Sequence, residues 1–97
     1  MTRVEFHPEA EEEFLAAIQF YEMAARGLGL SFVRAVRRTS DLLVAFPDSG
    51  HSFSANLERV LVHGFPYGLL YSVEVDRIYI VAVAHLNRRP GYWRGRV

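Results

Sequence analysis

Apolar positions along this chain recur with a helical period in its first half and with a period of two in its second. The opening run "VEF" at residues 4 to 6 is β-prone and stops at His7-Pro8. Proline suits the first turn of a helix, where its missing N–H would have no partner, and the glutamates that follow complement the positive end of the helix dipole. A helix is therefore expected from about Pro8, with His7 near its N-cap. Phe14, Ile18, Tyr21 and Ala25 then share one stripe, while Glu11, Glu12, Gln19 and Glu22 lie mostly away from it. "RGLG" ends this helix, because Gly27 and Gly29 can take the left-handed cap conformation.

A second helix is expected by about Leu30, with Phe32, Val33, Val36, Leu43 and Val44 at helical spacing and Arg34, Arg37, Arg38 and Asp41 mostly on the other side. It stops in "AFPDSG", and two helices so closely joined pack as an antiparallel hairpin. "DSGHSFS" reads as a polar loop between layers. From Asn56 onward "ERVLVHGF" (58–65), "YGLLYSVE" (67–74) and "DRIYIVAVAHL" (76–86) read as three strands of an antiparallel meander. The third is apolar almost without a break from Ile78 to Ala84, which predicts a central strand covered on both faces. The order is strand, two helices, three strands. That is a single α+β domain over residues 1–97, a helical hairpin packed on a small, mainly antiparallel sheet.

Composition narrows the function classes. With 51% hydrophobic and 23% charged residues the chain has the profile of a globular protein, and one core is expected. Net charge is zero, so bulk electrostatics do not announce a nucleic-acid binder. The distribution is uneven, however: Glu9, Glu11, Glu12 and Glu13 gather near the start and Arg88, Arg89, Arg94 and Arg96 at the end. An anionic partner would meet the last ten residues. All eleven bases are arginine, and cysteine is absent. This excludes a Schiff-base lysine, a thiolate nucleophile, a disulfide and a Cys-ligated zinc. "MTRVEFHPEA" lacks the apolar region of a signal peptide, and no stretch approaches the ~18 apolar residues of a membrane span, so a cytoplasmic protein is expected.

Four histidines are present: His7 at a helix start, His51 in the polar loop, His63 in a strand and His85 at the end of the last strand. No pair has the spacing of a helical zinc site, and neither metal nor cofactor is expected. His85 reads either as a structural histidine or as a base. Ser49 and His51 are too close in sequence to form a hydrolase site without an elbow and an opposed base. The glutamate run reads as the solvated first turns of a helix. Arg59 alternates with core positions and reads as a salt-bridge partner of the acidic helix, or as lining for a sheet face that takes an anionic or peptide partner. In the tail "RRPGYW", Arg88 and Arg89 are planar forks suited to phosphate or carboxylate, Tyr92 can stack a base, and Trp93 is expected to fold back and close the core.

The run "ERVLVHGFPYGLLYSVEVDRIYIVAVAHLNRRPGYW" resembles the C-terminal half of the RelE/ParE superfamily, the toxins of bacterial type II toxin-antitoxin modules, and "FHPEAEEEFLAAIQFYE" resembles that family's first helix. The resemblance spans nearly the whole chain. It implies a β-α-α-β-β-β fold and a cognate antitoxin whose C-terminal segment wraps the toxin and folds on binding. The superfamily divides into ribosome-dependent mRNA endoribonucleases and DNA gyrase poisons. The nuclease branch carries an arginine where this chain has Gly68, and further basic residues just past the last strand, where this chain has Leu86 directly after His85. Glycine and leucine can neither neutralise a phosphate nor donate a proton. "FPY" and "RRPGYW" resemble the ParE-like branch instead, which implies a gyrase-binding toxin without hydrolytic activity. Arg88, Arg89, Tyr92, Arg94 and Arg96 would then form part of its target-contact surface. Under the alternative, an endoribonuclease acting on mRNA in the ribosome, His85 or Tyr92 would be the general base, Arg88 the phosphate clamp and Arg59 the transition-state stabiliser.

Overall fold

The computed structural model describes residues 2–54 and 56–96. Its elements are β1 (Arg3–Phe6), α1 (Pro8–Ala24), α2 (Leu28–Ala45), β2 (His51–Ser54), β3 (Leu57–Leu61), β4 (Tyr67–Val73) and β5 (Arg77–His85), with single 3-10 turns at Pro47–Ser49 and Arg94–Arg96. The strands form one sheet in the order β1-β5-β4-β3-β2, parallel only between β1 and β5. The α+β architecture and the helical hairpin agree with the sequence reading. A strand absent from that reading appears where the polar loop was expected: His51–Ser54 pairs antiparallel with β3. Only Phe53 of this edge strand packs on the core, so hydrophobic alternation carries almost no trace of it. β5 is covered on both faces as expected, but it lies second in the sheet, and β4 is the middle strand.

The hairpin rests on two local devices. His7 caps α1 with its side chain, Nδ1 accepting from the Glu9 N–H at 3.1 Å. Gly27, at φ +86°, turns the chain into α2, and the Glu22 carboxylate accepts from the Gly27 and Gly29 N–H groups at 3.0 and 3.1 Å. Glu22 thus serves α2 as a cap borrowed from the preceding helix. Gly29 lies inside α2, which therefore begins earlier than expected. A Cβ there would stand 2.9 Å from the Ile18 carbonyl, so only glycine lets the helices approach this closely.

The helices cover one face of the sheet. Phe32 fills the centre of that layer among Phe14, Tyr21, Phe65 and Tyr67, with Val36, Leu43, Leu69, Ile78, Ile80 and Val83 around it. Tyr71, fully buried, reaches past this core. Its hydroxyl donates to the Pro47 carbonyl at 2.9 Å and accepts from the Gly50 N–H at 3.0 Å, tying the end of α2 to the sheet. A smaller cluster of Leu57, Leu70, Val81, Ala82 and Trp93 occupies the other face.

A bulge decides which side chains reach which face. Leu70 pairs with Ala82 and Tyr71 with Ile80, so Val81 is an extra residue in β5. Ile78 and Ile80 face the helices, Val81 and Ala82 both serve the second cluster, and Val83 returns to the helical face. Without the bulge, strict alternation would send Val83 and His85 to the face that Trp93 covers.

At the start of β1 and β5, Arg77 bonds Glu5 at 2.8 Å and Glu74 at 2.7 Å and holds both carboxyls below their usual pKa. A depressed carboxyl contributes stability above its unfolded pKa and loses it as pH falls through the folded value. This brace therefore weakens on acidification, and by little, because Glu5 is half-exposed and Glu74 exposed.

Candidate functional site

The C-terminal segment turns back over the sheet immediately after β5. The Arg88 N–H donates to the His85 carbonyl at 2.9 Å, and the Asn87 N–H donates to His85 Nδ1 at 3.0 Å, which closes the first turn. Gly91, at φ +88°, makes the second. Trp93 then lands on the second cluster with 6% of its surface exposed and its ring 5.2 Å from Phe53, the core-closing place expected of it.

Arg59 approaches the same place from β3. A Cβ on Gly68 would stand 3.2 Å from Arg59 Cγ and Cδ, so the glycine leaves room for the arginine stem to cross β4. The guanidinium lies 4.9 Å from the Phe53 ring centroid. The expected salt bridge with the acidic helix does not form, because β3 directs Arg59 to the face opposite the helices. Between β3 and the C-terminal turn lies a cleft of about 200 Å³, with Phe53, Arg59, His85, Arg88, Tyr92 and Trp93 in its lining. Arg88 sits 4.0 Å over the Tyr92 ring. Among the described residues, Arg59, Arg88, Arg89 and Arg94 form no salt bridge. The cleft therefore combines aromatic walls with guanidinium groups that have no internal counter-ion, an arrangement suited to an anionic group beside a flat or apolar one.

Arg96 differs from the other terminal arginines. Although its sequence position suggested a target contact, its side chain is 8% exposed and bound inside the protein. Nη1 and Nη2 form a fork on the two Glu13 carboxylate oxygens at 2.9 Å each, Nε reaches Glu9 at 3.0 Å, and Nη1 also donates to the Val81 carbonyl at 3.0 Å. Glu13 in turn accepts from the Val83 N–H at 3.0 Å. The residue read as part of a solvated helical turn is thus a largely covered anion, its side chain 15% exposed. A signal for this was present in the sequence: Glu13 stands three residues after Ala10 and four before Ala17, the two buried small residues of α1.

Tyr92, expected to face a target, is half-buried, with the Arg88 and Arg96 guanidinium groups on its ring. Its hydroxyl is buried beside the Glu13 carboxylate but outside good hydrogen-bond geometry, and its pKa is pushed up to about 12, first by burial and then by that carboxylate. A phenol held protonated in this way is a poor general base at neutral pH. Tyr92→Phe is accordingly expected to leave stability unchanged or raise it by up to about 1 kcal/mol, because it removes an unsatisfied buried hydroxyl. Urea unfolding checks this, and a loss above that size would mean that the hydroxyl has a partner.

The histidines stay apart. His85 stacks edge-on against Tyr67 at 5.2 Å at the end of the helical face while also touching the cleft, His51 pairs across strands with Arg59, and His63 lies in a turn beyond β3 rather than in a strand. Among the described residues, no group of three or more His, Asp or Glu side chains is placed to hold a metal ion, and no helix is long and apolar enough to cross a membrane.

Residues 4–90 match the family model described as "ParE toxin of type II toxin-antitoxin system, parDE". This chain belongs to the ParE toxin family. A solved structure titled "Chromosomal ParDE TA system from P. aeruginosa" shares the fold, with a TM-score of 0.72 at 18% identity over 88% of this chain and 96% of that one. No curated protein matches the sequence. The family match ends at Pro90, so the turn carrying Tyr92, Trp93 and Arg96 lies beyond it.

Proposed function

We propose that this ParE-family chain acts in the cytoplasm as a toxin that arrests growth by holding DNA gyrase on cleaved DNA, and that a cognate antitoxin neutralises it. The observation that carries this reading is the cleft between β3 and the C-terminal turn. It gathers Arg59 and Arg88 around aromatic walls and, among the described residues, offers little for proton transfer beyond His85 Nε2. Tyr92 holds its proton to about 12, Gly68 stands where the nuclease branch has an arginine, and His85 spends Nδ1 on the Asn87 N–H. A surface of this kind binds. Arg88, Arg89 and Arg94 offer the free cations of the tail, and Arg59 adds a fourth from the sheet.

The antitoxin reading rests on the opposite face. Phe20, Met23 and Leu30 are 64%, 81% and 53% exposed on the helical hairpin, an apolar area of the kind a folding-on-binding segment covers. Purified toxin, gyrase, ATP and supercoiled plasmid test the target. Linear DNA released by detergent and protease, and suppressed by the antitoxin, is the expected result. If gyrase leaves no cleaved DNA while translating ribosomes show mRNA cut in the A site, the endoribonuclease reading replaces this one.

A further inference from the structure

The Glu13–Arg96 pair is an unusual investment for a small protein. Burying two charges carries a desolvation penalty that their attraction often fails to recover, and apolar replacements of similar size are frequently as stable. The bulge gives part of the reason. β1 covers β5 only from Arg77 to Ile80, so beyond it the Val81 carbonyl and the Val83 N–H face outward without a neighbouring strand. Arg96 satisfies the first at 3.0 Å and Glu13 the second at 3.0 Å, while the fork between them joins the two. The pair thus extends the sheet edge with side chains, from α1 on one side and from the end of the chain on the other.

A purely structural role would be complete at that point, but the contacts continue. The Arg96 guanidinium also lies 5.1 Å from the Tyr92 ring centroid, and the Arg88 guanidinium shares that ring at 4.0 Å. Arg88 forms no salt bridge among the described residues, and the Tyr92 ring holds its charged end at 4.0 Å. Trp93, the next residue, seals the far wall of the cleft. We infer that Glu13 and Arg96 are positioning residues of the target-binding surface: their buried pair anchors the C-terminal turn, and through the Tyr92 ring it sets the place of Arg88 at the cleft. The inference rests on the cleft being that surface, as proposed above, and extends it to residues that touch no target.

Trp93 is the sole tryptophan, so its fluorescence reports the turn directly. In full-length Arg96→Leu with unchanged far-UV circular dichroism, acrylamide quenching of Trp93 is expected to rise at least threefold. The toxin concentration needed to trap cleaved DNA on gyrase should rise at least tenfold. Arg96→Lys, which keeps a charge but loses the fork, should fall between. Tyr92→Leu keeps the ion pair and removes the ring, which also borders Trp93 at 5.5 Å, so quenching of Trp93 should rise less than in Arg96→Leu while trapping is lost. Arg96 is absent from the cleft lining, so Arg96→Lys tests the inference even if Arg96→Leu fails to fold. Growth arrest on induction without antitoxin is read in parallel, because it does not depend on the target's identity. If wild-type toxin arrests growth but traps no gyrase, the target reading falls, and arrest by the variants still decides the positioning role. Folded Arg96→Leu or Tyr92→Leu that arrests growth at the wild-type inducer level overturns the inference.

Discussion

Phe32→Ala is expected to remove about 3–5 kcal/mol of unfolding free energy. Phe32 is fully buried, and its ring lies 5.9 Å from Phe14, 5.2 Å from Tyr21, 5.0 Å from Phe65 and 5.1 Å from Tyr67. It is therefore the point at which α1, α2, the turn before β4 and β4 itself meet. Truncation would leave a hole walled by four aromatic rings, and rings anchored in three separate elements cannot all close on it. Aromatic pairs in such geometry add about 0.5–1.5 kcal/mol each beyond area burial, so the upper half of the range is favoured. A domain of this size has about 5–15 kcal/mol in total, and each lost kcal/mol lowers the midpoint by about 4–8 °C. Thermal and urea unfolding should show a midpoint lower by about 15 °C or more. A loss below about 1.5 kcal/mol would mean that the helices and sheet are joined elsewhere.

Phe32 also marks where the sequence could be read. Its helical spacing with Val36 and Leu43 placed the second helix, and alternation in "YGLLYSV" and "RIYIVAVAH" placed two strands, because those residues satisfy the periodicity by facing a core. Four features escaped that logic for physical reasons. β2 is an edge strand held by backbone pairing, with one apolar contact through Phe53. The Val81 bulge inserts a residue without changing composition, since Val81, Ala82 and Val83 are apolar whichever face each one meets. Glu13 and Arg96 look like solvated charges until the chain brings together residues 83 positions apart. Arg59 and Arg88 lie on different elements, and their shared cleft follows from strand order and the Pro90-Gly91 turn. The family resemblance reached the fold because the order of motifs encodes topology. It assigned all the terminal arginines alike, whereas burial separates Arg96 from Arg88, Arg89 and Arg94.

That separation leads to the largest functional effect expected. With gyrase as the proposed target, Arg59→Glu combined with Arg88→Glu should lower gyrase–DNA trapping by about 10²–10⁴-fold while leaving the fold intact. A hydrogen bond to a charged group contributes about 1.5–3 kcal/mol, two such contacts about 3–6, and each 1.4 kcal/mol is tenfold. Reversal adds repulsion from any phosphate that enters. Folding should change modestly: neither arginine has an ion pair among the described residues, and the lost contacts are worth about 0.5–1 kcal/mol for exposed Arg88 on Tyr92 and up to about 2 kcal/mol for half-buried Arg59 on Phe53. Arg34 and Arg38, exposed on α2 away from the cleft, provide the control, and their reversal should leave trapping within about threefold of wild type. Salt gives a second criterion. If the two arginines meet DNA phosphates, reversing both should flatten the dependence of log affinity on log salt concentration by about two, because two fewer counterions are released. A double reversal that traps gyrase as well as wild type would place the contact surface elsewhere on the molecule. A loss of trapping with an unchanged salt slope would keep the cleft but make its anionic partner a protein carboxylate of gyrase rather than the cleaved DNA.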